Sequence, residues 1–241
     1  MKILIVRHGD PDYAIDGLTE KGQREAALLA NRLCLEDITA VYCSTMGRAM
    51  RTAEPFLEKA GLKAQYCDWL REFNETRVQL PYRDHPSGCW DLMPEFVSAH
   101  PALYSPTEWT QVDFIRDSGV PQAYRQVCDE LDRMLACHGY ERSGLNYTVR
   151  RSHHDTILLV CHYGVSCVLL SHLMNCSPYS LFQNAFTAPT SVTTIYTEER
   201  VPGVASLRCS GIGDVSHLYA AGEEISFSGR FCECYTDDTR H

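Results

Sequence analysis

Two histidines and two arginines in this chain stand where their chemistry could be combined. Arg7 and His8, followed by Gly9, come directly after the apolar run at residues 3–6. His162, followed by Tyr163 and Gly164, comes directly after a second apolar run at residues 156–161. Arg48 lies four residues beyond Ser44, in the run Ser44-Thr45-Met46-Gly47-Arg48-Ala49-Met50-Arg51-Thr52-Ala53. A neutral imidazole can attack phosphorus, and a guanidinium fork can hold the oxygens around it. A helix N-terminus adds free N–H groups that attract an anion. A carboxyl group, Glu72, follows in Leu70-Arg71-Glu72 and could move a proton, with Asp68 and Glu75 as neighbours able to do the same.

The elements that must position these groups alternate between strand and helix. Residues 3–6 read as a strand. Thr19 reads as the N-cap of a helix with Glu20 in its first turn, and Ala26, Leu29, Ala30 and Leu33 fall on one face. Residues 40–43 read as a second strand ending at Ser44, and residues 47–59 as a helix stopped by Gly61. Residues 63–70 read as a third strand. Tyr124, Val127, Cys128, Leu131, Met134 and Leu135 mark another amphipathic helix closed by Gly139. Residues 156–161 form a continuous apolar run that predicts a strand buried on both faces. Residues 164–174 read as the helix after it and 191–196 as a further strand. Each of the histidines and Arg48 then falls at a strand-to-helix junction, at the edge of the sheet where open α/β folds bind ligands.

The rhythm breaks at residues 73–118. Pro81, Pro86, Pro94, Pro101 and Pro106, with Tyr82, Trp90, Tyr104 and Trp109, forbid long helices or central strands there. The segment reads as an inserted irregular cap or lid, its aromatics free to pack the cap or to stack on a ligand. Arg77 and Arg83 within it could meet a second anionic group.

Composition bounds the rest. The 241 residues, 44% hydrophobic and 22% charged, suit a globular chain with a sizeable core. A net charge of -9 speaks against nucleic acid and gives no attraction to anionic lipid. No stretch has the length of a membrane span. Twelve cysteines and no leader-like run predict free thiols in a reducing, cytoplasmic setting. Cys232, Cys234 and His241 lack a second ligand pair at finger spacing, so no metal site is assigned.

Taken in order, Arg7-His8-Gly9, Leu18-Thr19-Glu20-Lys21-Gly22, Ser44 with Arg48-Ala49 and Thr52-Ala53, Leu70-Arg71-Glu72, His162-Tyr163-Gly164 and residues 213–218 resemble the histidine phosphatase superfamily, the phosphoglycerate-mutase-like proteins. The resemblance implies a single α/β domain over residues 1–241, a three-layer α/β/α sandwich with a mixed, mainly parallel sheet and an inserted irregular cap. It also implies the roles: His8 as nucleophile, Arg7, Arg48 and His162 on the phosphate, and Glu72 as acid and then base. Tyr163 could add its backbone N–H to the phosphate. No cofactor is implied, and the expected partner is a small phosphorylated metabolite; oligomeric state is left open.

Departures from the family pattern narrow the reading. Tyr13-Ala14 stands where the mutase branch has Trp-Asn, and Arg71-Glu72-Phe73-Asn74 replaces its run around the acid. Asp10-Pro11-Asp12 after Gly9 excludes the phytase pattern. A phosphatase of the small branch survives, with a phosphohistidine or phosphoprotein phosphatase and a non-catalytic phosphate-ligand sensor as the other readings; mutase activity is not expected.

Overall fold

The structure is a computed structural model that describes residues 1–74 and 76–237. Its centre is an eight-stranded sheet. In chain order the strands are β1 (Lys2–Arg7), β2 (Ile38–Ser44), β3 (Ala64–Cys67), β4 (Tyr140–Ser143), β5 (Asn146–Val149), β6 (Thr156–Cys161), β7 (Val192–Val201) and β8 (Val204–Asp214). They lie side by side as β3-β2-β6-β1-β7-β8-β5-β4. The first four run parallel, and each later neighbour is antiparallel to the one before it. The sheet is therefore mixed, with only β5 and β7 pointing against the rest.

The long helices are α1 (Glu20–Leu33), α2 (Gly47–Ala60), α3 (Val120–Cys137) and α4 (Tyr163–Met174). Strand periodicity divides the core into two layers. Leu4 and Val6 of β1 and Leu158 and Val160 of β6 face Leu29, Leu33, Ala53 and Phe56 of α1 and α2. Ile3, Ile5, Ile157 and Leu159 face Val165 and Val168 of α4 and Leu131 and Leu135 of α3. Helices on both faces of the sheet make the three-layer sandwich that the sequence predicts.

The predicted elements differ from the observed ones in places that have physical reasons. The third strand ends at Cys67, because a tight turn at Asp68–Leu70 carries Leu70 into the core. The predicted strand at 191–196 continues to Val201, and β4, β5 and β8 were not predicted; their outer parts are exposed and polar, with little alternation.

The insertion at 73–118 consists of a two-residue-stranded hairpin, short helices at Pro94–Ser98 and Asp113–Arg116, and single turns at Pro101–Tyr104 and Trp109–Gln111. Its interior is continuous with the core: Val78, Leu80, Leu103, Trp109 and Ile115 are buried in the same cluster as α3 and α4. Buried hydrogen bonds from Tyr179 Oη to the Cys89 carbonyl (3.1 Å) and from Ser177 Oγ to the Leu103 carbonyl fasten it. This cover explains why α4 is buried on nearly every side. All twelve cysteines are free.

Candidate active site

Three junctions place the reactive groups. β1 and β6 are parallel neighbours in register, Arg7 opposite Cys161, so the residues that follow them, His8 and His162, emerge side by side. Their ring centroids are 5.1 Å apart. β2 lies on the other side of β6, so Ser44 at its end and Arg48 at the start of α2 come to the same edge. His8 is 1% exposed, His162 0%, Arg7 5% and Arg48 6%.

His8 is held by one strong contact. Its Nδ1 lies 2.7 Å from the Gly9 carbonyl oxygen. That oxygen can only accept, so Nδ1 carries the proton and Nε2 keeps its lone pair. Burial, with the charge of Arg7 next, lowers the His8 pKa to about 3. His8 is neutral at physiological pH, as a nucleophile requires.

The two arginines are fixed in the same manner. Arg7 donates Nη1–H to the Thr187 carbonyl at 2.7 Å, and Arg48 donates Nη1–H to Asp16 Oδ1 at 2.6 Å. In each, Nε is buried and has no partner among the described residues. The side edge of a guanidinium, formed by Nε–H and Nη2–H, is the fork that grips an oxyanion in two bonds. Tyr163 and Tyr13 lie over the Arg7 and Arg48 guanidinium groups at 5.9 and 5.5 Å. His162 Nδ1 is likewise buried without a protein partner, while Nε2 meets Ser44 Oγ at 2.8 Å. Burial first, then the charges of His8, Arg48 and Arg7, hold the His162 pKa well below its ordinary value. Ser44 Oγ accepts the Met46 N–H, so its own proton can go to His162 Nε2. This chain leaves Nδ1–H as a donor.

Glu72 enters from beyond β3. Its Oε1 accepts the N–H groups of Phe73 (2.8 Å) and Val165 (3.2 Å), which sets the carboxyl against the first turn of α4. Burial raises its pKa, against the opposing pull of the Phe73 hydrogen bond and the Arg7 charge. A Cβ at Gly164 would stand 2.7 Å from Glu72 Oε1, so any larger residue there would displace the carboxyl. Of the neighbouring carboxylates, Asp68 accepts the Thr45 hydroxyl at 2.7 Å, and Glu75 lies outside the described residues.

The supporting contacts explain the rest of the motif. Thr52 Oγ1 accepts Gly9 N–H at 2.9 Å and donates to the Arg48 carbonyl at 2.7 Å, linking the two junctions. Gly22 packs against the backbone of Asp10, and Gly9 against Gly22. Thr190 N–H bonds the Arg7 and His8 carbonyls, and Thr190 Oγ1 meets His217 Nε2 at 3.2 Å, which gives residues 213–218 their place. Asp16, Thr187, Thr190 and the Ser226–Gly229 stretch beside Asp10 and Arg7 were not singled out from the sequence. Their contacts arise from loops that only the fold brings together.

The cap contributes Trp90, whose ring lies edge-on to Tyr163 at 5.9 Å and donates Nε1–H to the Phe73 carbonyl. Trp109 is buried against Tyr124 and Tyr179, and Tyr82 packs on Phe96. Arg83 pairs with Asp91, and Arg77 reaches the Pro86 carbonyl. Tyr163 Oη is directed to the Phe182 and Ala185 carbonyls. Among the described residues no group of three or more metal-ligating side chains forms, and no helix is long and apolar enough to cross a membrane. His241 lies outside the described residues.

A neutral histidine with two pinned arginines thus stands at the parallel-strand edge of a three-layer sandwich. Residues 3–111 match the family described as the histidine phosphatase superfamily, branch 1. The likeness to the histidine phosphatase superfamily thus rests on residues 3–111 of this chain. A probable phosphatase of Schizosaccharomyces pombe is 38% identical over 82 residues, covering 30% of this chain and 39% of that protein. A probable phosphoglycerate mutase GpmB of Yersinia enterocolitica is 34% identical over 90 residues, covering 32% of this chain and 42% of that protein. These matches therefore span about two fifths of the curated relatives' length. The fold is shared more widely. A phosphoserine phosphatase mutant from Entamoeba histolytica, in complex with phosphoserine, superposes with a TM-score of 0.58 at 15% identity, covering 90% of this chain and 98% of that one. The mycobacterial glucosyl-3-phosphoglycerate phosphatase gives 0.58 at 16%, covering 88% and 98%.

Proposed function

We propose that this chain is a metal-independent phosphomonoesterase that hydrolyses a small phosphorylated metabolite through a phosphohistidine on His8. The observation that carries the reading is the buried, neutral His8, its Nδ1 bonded to Gly9, with two arginines whose Nε atoms are buried and have no partner among the described residues. The name of the Schizosaccharomyces pombe relative and those of the proteins sharing the fold support a phosphatase, while the GpmB relative is named a mutase.

In the first step His8 Nε2 attacks phosphorus, the ester P–O bond breaks, and Glu72 gives its proton to the departing oxygen. Arg7 and Arg48 bind the phosphoryl oxygens through their side edges, and His162 Nδ1–H donates a further bond. Charge spread over those oxygens meets fixed donors in a nearly dry site, where they act most strongly. The Gly9 carbonyl steadies the positive charge that the ring gains when Nε2 bonds phosphorus. In the second step Glu72, now a carboxylate, takes a proton from water as the water oxygen attacks phosphorus. The P–N bond breaks, its electron pair returns to Nε2, and phosphate leaves. The two arginines supply the charge neutralisation that a metal would otherwise give.

Deep burial of all four phosphate-site groups favours a small ester over a phosphoprotein. Tyr13-Ala14 in place of the mutase Trp-Asn favours hydrolysis over phosphate shuttling, and a cytoplasmic setting with no nucleic-acid or membrane partner accompanies the reading. A rapid-quench digest after mixing with a turned-over phosphomonoester tests the chemistry. The expected result is one acid-labile phosphoryl group on the peptide carrying His8; a label on another residue would refute the scheme.

A further inference from the structure

We infer that Asp16 is a positioning residue, whose carboxylate aims the side edge of Arg48 at the phosphoryl group; the inference rests on the phosphate-site reading above. Asp16 lies in the irregular loop between Asp12 and Gly17, outside the residues that carry the family resemblance. Its two carboxylate oxygens make two different bonds. Oδ1 accepts Arg48 Nη1–H at 2.6 Å, and Oδ2 accepts the N–H of Gly47, the first residue of α2, at 2.7 Å. One carboxylate thus ties the arginine side chain to the helix end from which it grows.

The chain bends to make this contact. Asp16 has φ +46°, a left-handed conformation that costs free energy in a residue with a Cβ. Gly47 must be glycine, because a Cβ there would stand 2.2 Å from the Asp16 carbonyl oxygen. The same loop lays the Tyr13 ring over the Arg48 guanidinium at 5.5 Å. Arg48 is thereby fixed at Nη1 and covered on one face. Among the described residues its buried Nε has no partner and its Nη2 meets the Met46 sulfur, a weak acceptor. The edge left for an oxyanion is the two-bond fork.

Arg7 shows the same logic with a different holder. A backbone carbonyl, that of Thr187, takes its Nη1–H, and its Nε is likewise buried and unpartnered. A fixed orientation lowers the ordering cost when the phosphate binds. A neutral carbonyl suffices for Arg7, whereas Arg48 is held by a charge that also meets a helix N-terminus.

The test uses the whole protein and two readouts, calorimetric binding of inorganic phosphate and aryl-phosphate kinetics. D16A should weaken phosphate binding and raise KM by about tenfold, the scale of losing one charged hydrogen bond. D16N, which keeps an acceptor for Arg48, should recover part of the loss. R48A and D16A/R48A should bind phosphate equally, because Asp16 acts through Arg48. Melting curves confirm that each variant is folded, and D16N carries the comparison if D16A is not. Tighter phosphate binding by D16A would overturn the inference, showing that the carboxylate competes for the arginine. A double variant weaker than R48A by the full D16A effect would overturn it too. A natural protein that binds phosphate without turning over esters would refute the phosphatase reading alone, leaving the Asp16 comparison to be read from phosphate affinity.

Discussion

In the proposed scheme Glu72 and His8 divide the pH dependence between them. His8 loses its proton at about pH 3, so it sets no acidic limb near neutrality. Glu72 has a raised pKa and, in the proposed scheme, carries its proton when the leaving group departs. The protonated fraction falls as pH rises through that raised value, so kcat/KM for a poor leaving group should fall on the alkaline side. Glu72→Gln should lower kcat by about 10²–10⁴-fold and abolish that limb; an unchanged limb in the variant would assign it to another group. His8 was legible because it follows a strand end in a short motif, and Glu72 because it falls in Leu70-Arg71-Glu72. Asp16 was not, since its partner is thirty-two positions away and is reached through a left-handed bend. Ser44 and Thr52 were visible in the motif, but their duties toward His162 and Gly9 appear only in three dimensions.

At the scale of elements, α1 is pressed against the loop that follows His8. A Cβ at Gly22 would stand 2.2 Å from the Asp10 carbonyl, backbone against backbone. Gly22→Ala should therefore destabilise the protein by more than about 2 kcal/mol in urea titration and reduce turnover, since Asp10 adjoins Gly9. One turn further, Glu25 is fully buried and accepts Asp10 N–H at 2.8 Å, while its Oε1 has no protein partner. Burial raises its pKa to about 7. The unfolded chain releases this proton near its ordinary value of 4.5, the folded chain only near 7. Stability should then decline between those pH values and level off above, by roughly 3 kcal/mol at full extent. Glu25→Gln should flatten that decline in melting temperatures taken from pH 5 to pH 8; an equal decline in the variant would place its origin elsewhere. The α1 face and the β6 strand were readable because their periodicity is strong. The β4–β5 hairpin and β8 were not, because exposed polar strands carry little pattern.

For the whole molecule, the sequence marked the insertion by its prolines but not its depth of packing. Prolines exclude long elements, yet say nothing of Trp109 seated against α3 or of Tyr179 bonded to Cys89. Since Leu103, Trp109 and Ile115 share one cluster with α3 and α4, cap and core should unfold together. Trp69, Trp90 and Trp109, the three tryptophans, all lie in or beside the cap, so their fluorescence reports it while far-ultraviolet dichroism reports the sheet and helices. Coincident thermal transitions are expected, and a cap transition preceding the main one would show a separable lid. The central claim, that His8 is the nucleophile of a metal-independent phosphatase, is tested most directly by aryl-phosphate hydrolysis with chelator present. The natural protein should turn over while His8→Ala, equally folded, should not; equal rates in both would contradict the account.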